Sequence, residues 1–124
     1  MDFLVTVPNA TPAVPHGGMA GAIAACGYTF LWNLLDYSAG VVPVTTVDAV
    51  VDALGEGEMR GRMGRNGVSK GAYLHYDAGR MAGLPVGVQV VGRRLEEEGV
   101  LGGMEVVVDA LKEMGVVYEG LDVE

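Results

Sequence analysis

Cysteine is all but missing from this chain of 124 residues, where Cys26 stands alone. No internal disulfide can form, and a lone cysteine most often behaves as a small buried apolar side chain. Basic residues are scarce too: eight Lys and Arg face sixteen Asp and Glu, for a net charge of −8. That balance argues against nucleic acid or an anionic membrane surface as the main partner. Half of the residues are hydrophobic, yet no apolar run approaches the ~20 residues that a membrane helix needs, so no span is expected and a soluble globular chain is the default. The opening Met1-Asp2-Phe3-Leu4 lacks the basic start and small-residue cleavage site of a signal peptide. With the single cysteine, this sets the expectation of a cytoplasmic location. Serine and lysine are nearly as rare, being confined to Ser38, Ser69, Lys70 and Lys112. A chain of this length forms one domain or part of one, and a compact fold would bury roughly 65% of its unfolded surface.

What is present is organised around the stretch from Gly83 to Arg94. Val86 to Val91 is almost unbroken apolar sequence rich in β-branched residues, bounded by Leu84-Pro85 and Gly92. It reads as a central strand buried on both faces. Pro85 fits as the first residue of that strand, where its missing N–H costs no ladder bond, and Gly87 inside it marks a place where another element comes close. Arg93 and Arg94 then make a turn before Glu96, Glu97 and Glu98 open an amphipathic run. Val100, Leu101, Met104, Val107, Val108 and Leu111 recur at helical spacing, which predicts a helix from Glu97 to Glu113. Negative charge near its N-terminus suits the helix dipole, and Gly115 can terminate it. The tail from Val116 to Glu124 reads as a short extended end.

Earlier in the chain, Asp2 to Val7 reads as a strand that ends at Pro8. Pro8, Pro12 and Pro15, with Asn9 and His16-Gly17-Gly18, supply a loop in which proline fixes φ and removes donors. The strand begins one residue after Met1, where a larger sheet would already be under way. Met19 to Cys26 is a possible helical turn weakened by its glycines. Tyr28 to Tyr37 is apolar over more than one stripe and predicts a buried helix that Gly40 can end. Val41 to Val44 reads as a second buried strand with Pro43 in it, and Asp48 to Leu54 as a short helical pattern. Gly55 to Gly71, broken by six glycines, reads as a long loop, mobile or functional. Arg60, Arg62, Arg65 and Lys70 gather there and are read as a solvated face rather than a phosphate site.

Two blocks resemble a known family. Gly83 to Leu101, GLPVGVQVVGRRLEEEGVL, resembles the closing strand and helix of amidase signature enzymes, serine hydrolases that cleave carbon–nitrogen amide bonds. Tyr28 to Thr45, YTFLWNLLDYSAGVVPVT, resembles the block upstream of it, in the right order, and the likeness is strongest to the acetamidase-type branch known from fungi. The resemblance implies that residues 1–124 are a C-terminal fragment of an amidase domain. It implies an α/β arrangement in which strands Asp2–Val7, Val41–Val44 and Val86–Val91 form part of a mixed sheet flanked by helices. It further implies a parent reaction on a small-molecule amide, run through an acyl-enzyme without metal or organic cofactor. The missing N-terminal part of the domain would be the natural partner, and a homo-oligomer stays open. The family's catalytic lysine and two serines lie earlier in its chains than the blocks matched here, so no catalytic residue is assigned and the chain is expected to be inactive alone. The alternative is a non-catalytic binding or interaction module derived from the same fold.

Other chemical readings are weak. Ser69-Lys70 is an adjacent pair whose side chains point apart, which does not meet the geometry of an activated nucleophile. His16-Gly17-Gly18 has no G-x-S-x-G elbow to serve and reads as a turn. The order of serine and lysine in Gly64–Lys70 is wrong for a phosphate loop. His75 and Asp77 are two candidate metal ligands, short of a closed site, so no metal is assigned. Tyr73, His75 and Tyr76 are expected to cover the sheet. In related enzymes the helix equivalent to Tyr28–Tyr37 runs close to the acyl pocket. Tyr28, Thr29 and Trp32 are therefore the candidate substrate-binding residues, with core packing of Trp32 and a satisfied buried amide at Asn33 as the plainer reading. Gln89 is expected to fix strands through its amide.

Overall fold

The fold, given by a computed structural model, is described for residues 2–116. The stretch at Gly83–Arg94 does organise it. Strand β3 (Pro85–Val91) lies between β1 (Leu4–Thr6) and β2 (Ala39–Thr46). Pro85 is its first residue. The expectation of a partial sheet with helices on it is met, but where a mixed sheet is expected both pairings among the described residues are antiparallel. Leu4 faces Val91 across one seam, and Ala39 and Val41 face Val91 and Gln89 across the other. The second strand is twice the expected length and bulges between Pro43 and Thr45. A proline has no N–H for the ladder, so the irregularity falls where the hydrogen bonding is already interrupted.

Helix α6 (Glu97–Glu113) packs across one face of the sheet. Its contact is built on small residues. A Cβ at Gly103 would lie 3.0 Å from Phe3 and 3.1 Å from Val90, and one at Gly40 would collide with Met104. Val90, between them, is fully buried, which contributes roughly 1.5–3 kcal/mol. Val100, Met104, Val107, Val108 and Leu111 are buried or half-buried as the periodicity requires, whereas Leu101 is exposed and Gly103 takes the inward place. Glu97 and Glu98 occupy the first turn and Gly115 follows the helix at φ 78°. The extended end expected from Val116 to Glu124 lies almost wholly outside the described residues.

The N-terminal helical layer departs from expectation. Met19–Ala22 forms α1, Ile23–Cys26 a 3₁₀ turn and Gly27–Leu35 forms α2. No residue of α2 is buried, and Leu34 is 83% exposed. The expected buried helix is thus an uncovered one, because the described residues supply nothing to lie over its apolar side. It ends earlier than Gly40: Asp36, in the left-handed region at φ 57°, donates its N–H to Asn33. Gly40 lies inside β2 instead. Asp48 to Leu54 forms a turn, not a helix.

The largest correction concerns residues 55–71. The expected loop is two helices, α3 (Glu56–Met63) and α4 (Gly67–Tyr73), followed by α5 (Ala78–Met81). Local electrostatics and capping outweigh the glycines. Glu56 and Glu58 stand in the first turn of α3, Arg60 and Arg62 in its last, and Arg62 bonds Glu58 one turn back at 2.6 Å, as the helix dipole and i,i+4 spacing favour. The Asn66 side chain caps α4 by accepting from the Ser69 N–H at 2.8 Å, and Asp77 caps α5 through Arg80 at 3.1 Å.

Candidate functional site

The face of the sheet opposite α6 carries the main concavity. Alternation along β3 puts Gly87 and Gln89 on one face and Val90 on the other, and register places Pro43 and Val41 beside the first pair. Gly87 allows this close seam: a Cβ there would meet Val41 Cγ1 at 2.8 Å and the Val42 carbonyl at 2.9 Å. The loop from Val7 to Val14 and Met19 flank this face and leave an open cleft of about 710 Å³. Pro8 and Pro12 hold this loop, since each fixes its own φ.

The cavity has no charged side chain in its lining. Its polar members are Asn9, whose Oδ1 accepts from the Ala10 N–H at 2.9 Å, and Thr11. Thr11 is 9% exposed and its hydroxyl has no partner among the described residues. Gln89, 4% exposed, likewise has an unpartnered Oε1. No side-chain bond from Gln89 to either neighbouring strand appears, so its expected role in fixing strands is not borne out. Neither residue carries a signal that sequence alone reveals. The proline spacing marks a rigid loop, but which residue the loop turns inward depends on the sheet beneath it.

The three candidate substrate residues lie on α2. Tyr28 is about half exposed, the Thr29 hydroxyl donates to the Cys26 carbonyl at 2.9 Å, and Trp32 stacks on Tyr37 with ring centroids 6.0 Å apart. Tyr28 and Trp32 share a helix face at i,i+4 spacing. None of the three belongs to the lining of the cavity under the proline loop. Trp32 is half-buried rather than core, and Asn33 is exposed, so the satisfied buried amide is not found.

Other polar groups have assigned contacts. Arg62 donates from Nη1 to the Tyr73 hydroxyl at 2.9 Å, and the bonds to Tyr73 and Glu58 raise its pKa above the ordinary guanidinium value. Tyr76 donates to the Asp52 carbonyl, and burial, followed by the Asp52 charge, raises its phenol. His75 Nε2 lies 3.0 Å from the Gly18 carbonyl. These side chains therefore tie the helical layer to nearby loops rather than covering the sheet as expected. Asp77 is a helix cap, and no cluster of three potential metal ligands exists among the described residues. Ser38 donates to Glu97 at 3.0 Å. Ser69 and Lys70 are successive residues of α4, and successive helical side chains do not face each other.

The family model described as Amidase matches residues 1–101. The chain belongs to the amidase family. Amidase 1 of Gibberella moniliformis is 38% identical over 102 residues, which is 82% of this chain and 18% of that protein. An acetamidase of Aspergillus oryzae is 36% identical over 107 residues, 86% of this chain and 18% of its own length. The likeness extends to fatty-acid amide hydrolase 1 of Sus scrofa, 38% identical over 98 residues, 79% of this chain and 16% of the relative. The match thus spans about a sixth of the length of these amidase relatives. Both blocks on which the resemblance was drawn, Tyr28–Thr45 and Gly83–Leu101, fall inside the matched amidase region.

Proposed function

We propose that this chain is the C-terminal part of an amide hydrolase. In this reading it supplies a wall of the substrate channel, while the lysine and serines of the acyl-enzyme chemistry come from a preceding part of the domain. The observation that carries it is the family match over residues 1–101 combined with coverage of only 18% of a relative's length. The open apolar side of α2 agrees, since Phe30, Leu31, Leu34 and Leu35 are all left exposed where a complete domain would bury them. Tyr28, Thr29 and Trp32 would shape the acyl side of a pocket for a small-molecule amide, with no metal or organic cofactor, in a cytoplasmic enzyme. The partner is the N-terminal part of the amidase domain. Hydrolysis of a simple amide such as hexanamide by the purified chain, with and without Ser69→Ala, tests the reading. No turnover is expected from either protein. Turnover abolished by losing Ser69 would overturn it, because the chemistry would then reside in α4.

A second reading has its own support. Val90, Val42 and Val100 are buried between the sheet and α6, the kind of nucleus a stand-alone binding module needs. A sharp thermal transition in the inactive chain favours that module, and a broad non-cooperative loss of structure favours dependence on the rest of the domain.

A further inference from the structure

We infer that the groove beside α3 and α4 binds a linear aliphatic monocarboxylate, its head held by Arg60 and Lys70 and its tail laid against Met59 and Met63. The inference does not rest on the amidase reading, because it concerns reversible binding away from α2. The sequence concentrates charge here. Four of the eight Lys and Arg residues fall between positions 60 and 70, and no Asp or Glu occurs from Met59 to Tyr76, so in a chain of net charge −8 this segment is a basic island. Arg62 is engaged in the fold: it bonds Glu58 at 2.6 Å and the Tyr73 hydroxyl at 2.9 Å, which ties α3 to α4. Arg60 is not so engaged. Glu56 stands at the same i,i+4 spacing from Arg60 as Glu58 does from Arg62, yet only the second pair closes. Arg60, Arg65 and Lys70 have no carboxylate within 4.0 Å among the described residues.

Two of those free cations line one opening. Glu56, Met59, Arg60, Met63, Gly64 and Lys70 border a groove of about 510 Å³, within the range of small-molecule sites. Unlike the cleft under the proline loop, it carries charge in its lining. Met59 and Met63, one turn apart on α3 and half-buried, give it apolar surface, and the unbranched thioether adapts to a flexible chain. Arg60 and Lys70 are exposed, so an anion can meet them while keeping part of its hydration. The combination selects the ligand. An uncharged aliphatic molecule would leave the cations without a partner, and a small inorganic anion would leave the methionines without one. Glu56 in the same lining opposes a second negative charge, which favours a monoanion over a doubly charged phosphate.

The test is a titration of the isotope-labelled 124-residue chain with octanoate at neutral pH, below micelle-forming concentrations, followed by amide and methionine methyl chemical shifts. Acetate and 1-octanol are the counterparts that lack the tail or the charged head. Saturable shifts at Met59, Arg60, Met63 and Lys70 are expected with octanoate, and binding weaker by about fivefold or more with either counterpart. Arg60→Gln and Lys70→Gln should each weaken octanoate binding about two- to fivefold, the worth of an exposed ion pair. Added salt should weaken it in the wild-type chain and have little effect once both cations are replaced. Both side chains are exposed, so the variants keep the fold, and unchanged shifts in β3 verify that. Acetate or 1-octanol binding as tight as octanoate, or undiminished octanoate binding in the protein with both replacements, overturns the inference. So do octanoate shifts that never saturate, or that fall on α2 or the proline loop and spare α3 and α4.

Discussion

Two glycines of the sheet differ in what surrounds them, and so in what they tolerate. At Gly87 an added Cβ meets the Val42 carbonyl oxygen at 2.9 Å, and backbone in the middle of a ladder cannot withdraw. At Gly40 it meets the side chain of Met104, which has rotamers to spare. Gly87→Ala should therefore cost ~1–3 kcal/mol and Gly40→Ala distinctly less, as read from urea midpoints. The reverse order would mean that α6, not the strand seam, is the rigid partner. Asp48 gives a residue-scale dependence on pH. Its Oδ1 accepts from the N–H groups of Val51 at 2.9 Å and Val50 at 2.7 Å, and these bonds lower its pKa below the ordinary 3.8. A carboxylate with a lower pKa in the folded state stabilises above its unfolded pKa and loses that contribution as pH falls through the folded one. The turn should thus be intact at neutral pH and loosen below about pH 4, with Asp48→Asn removing the dependence. Amide exchange at Val50 and Val51 across pH 2–6, corrected for intrinsic rates, is the check.

Among the elements, legibility followed how local the deciding interactions are. The β3 to α6 unit could be read off Val86–Val91 and the following periodicity because its strand and helix each bury one consistent set of residues in the described fold. The α3 and α4 pair could not, because the glycine count masked two cues that were present: the Glu58 to Arg62 spacing and Asn66 ahead of Ser69. Those cues hold the helices, so Asn66→Ala should cost ~1 kcal/mol and speed amide exchange in Gly67–Tyr73 before the sheet is affected. Helix α2 is the opposite case. Its apolar composition predicts burial, but burial needs a second surface, and no pattern within nine residues reveals whether one is supplied. Leu34→Glu should accordingly change the stability of the isolated chain by no more than ~0.5 kcal/mol. A larger loss in thermal unfolding would mean that Leu34 already packs on something in solution. The candidate site divides along the same line. The resemblance drew attention to Tyr28, Thr29 and Trp32, whereas Thr11 becomes visible only when the proline loop is folded over β2 and β3.

For the whole molecule, surface area decides between self-sufficiency and dependence. The chain exposes 8540 Å² for a mass of 12.9 kDa, against about 6300 Å² for an average folded monomer of that mass. Burial on folding is then about 54% of the unfolded surface, not the roughly 65% expected from length. The surplus, on the order of 2000 Å², exceeds the ~800 Å² that one partner contributes to an ordinary interface. The isolated chain should consequently associate as its concentration rises, with Leu34→Glu shifting sedimentation toward the monomer. A strictly monomeric wild-type chain at high concentration would argue that the surplus surface is tolerated. The strand order carries a further consequence, for biosynthesis. Since β1 and β2 each pair with β3 and not with each other, neither has its partner in this sheet before Pro85 has been made. The β1 to β3 ladder must wait until residues 85–91 have left the ribosome and found Leu4, more than eighty positions behind. Until then the edges that β1 and β2 will offer to β3 stand open to any other strand or chaperone that reaches them first.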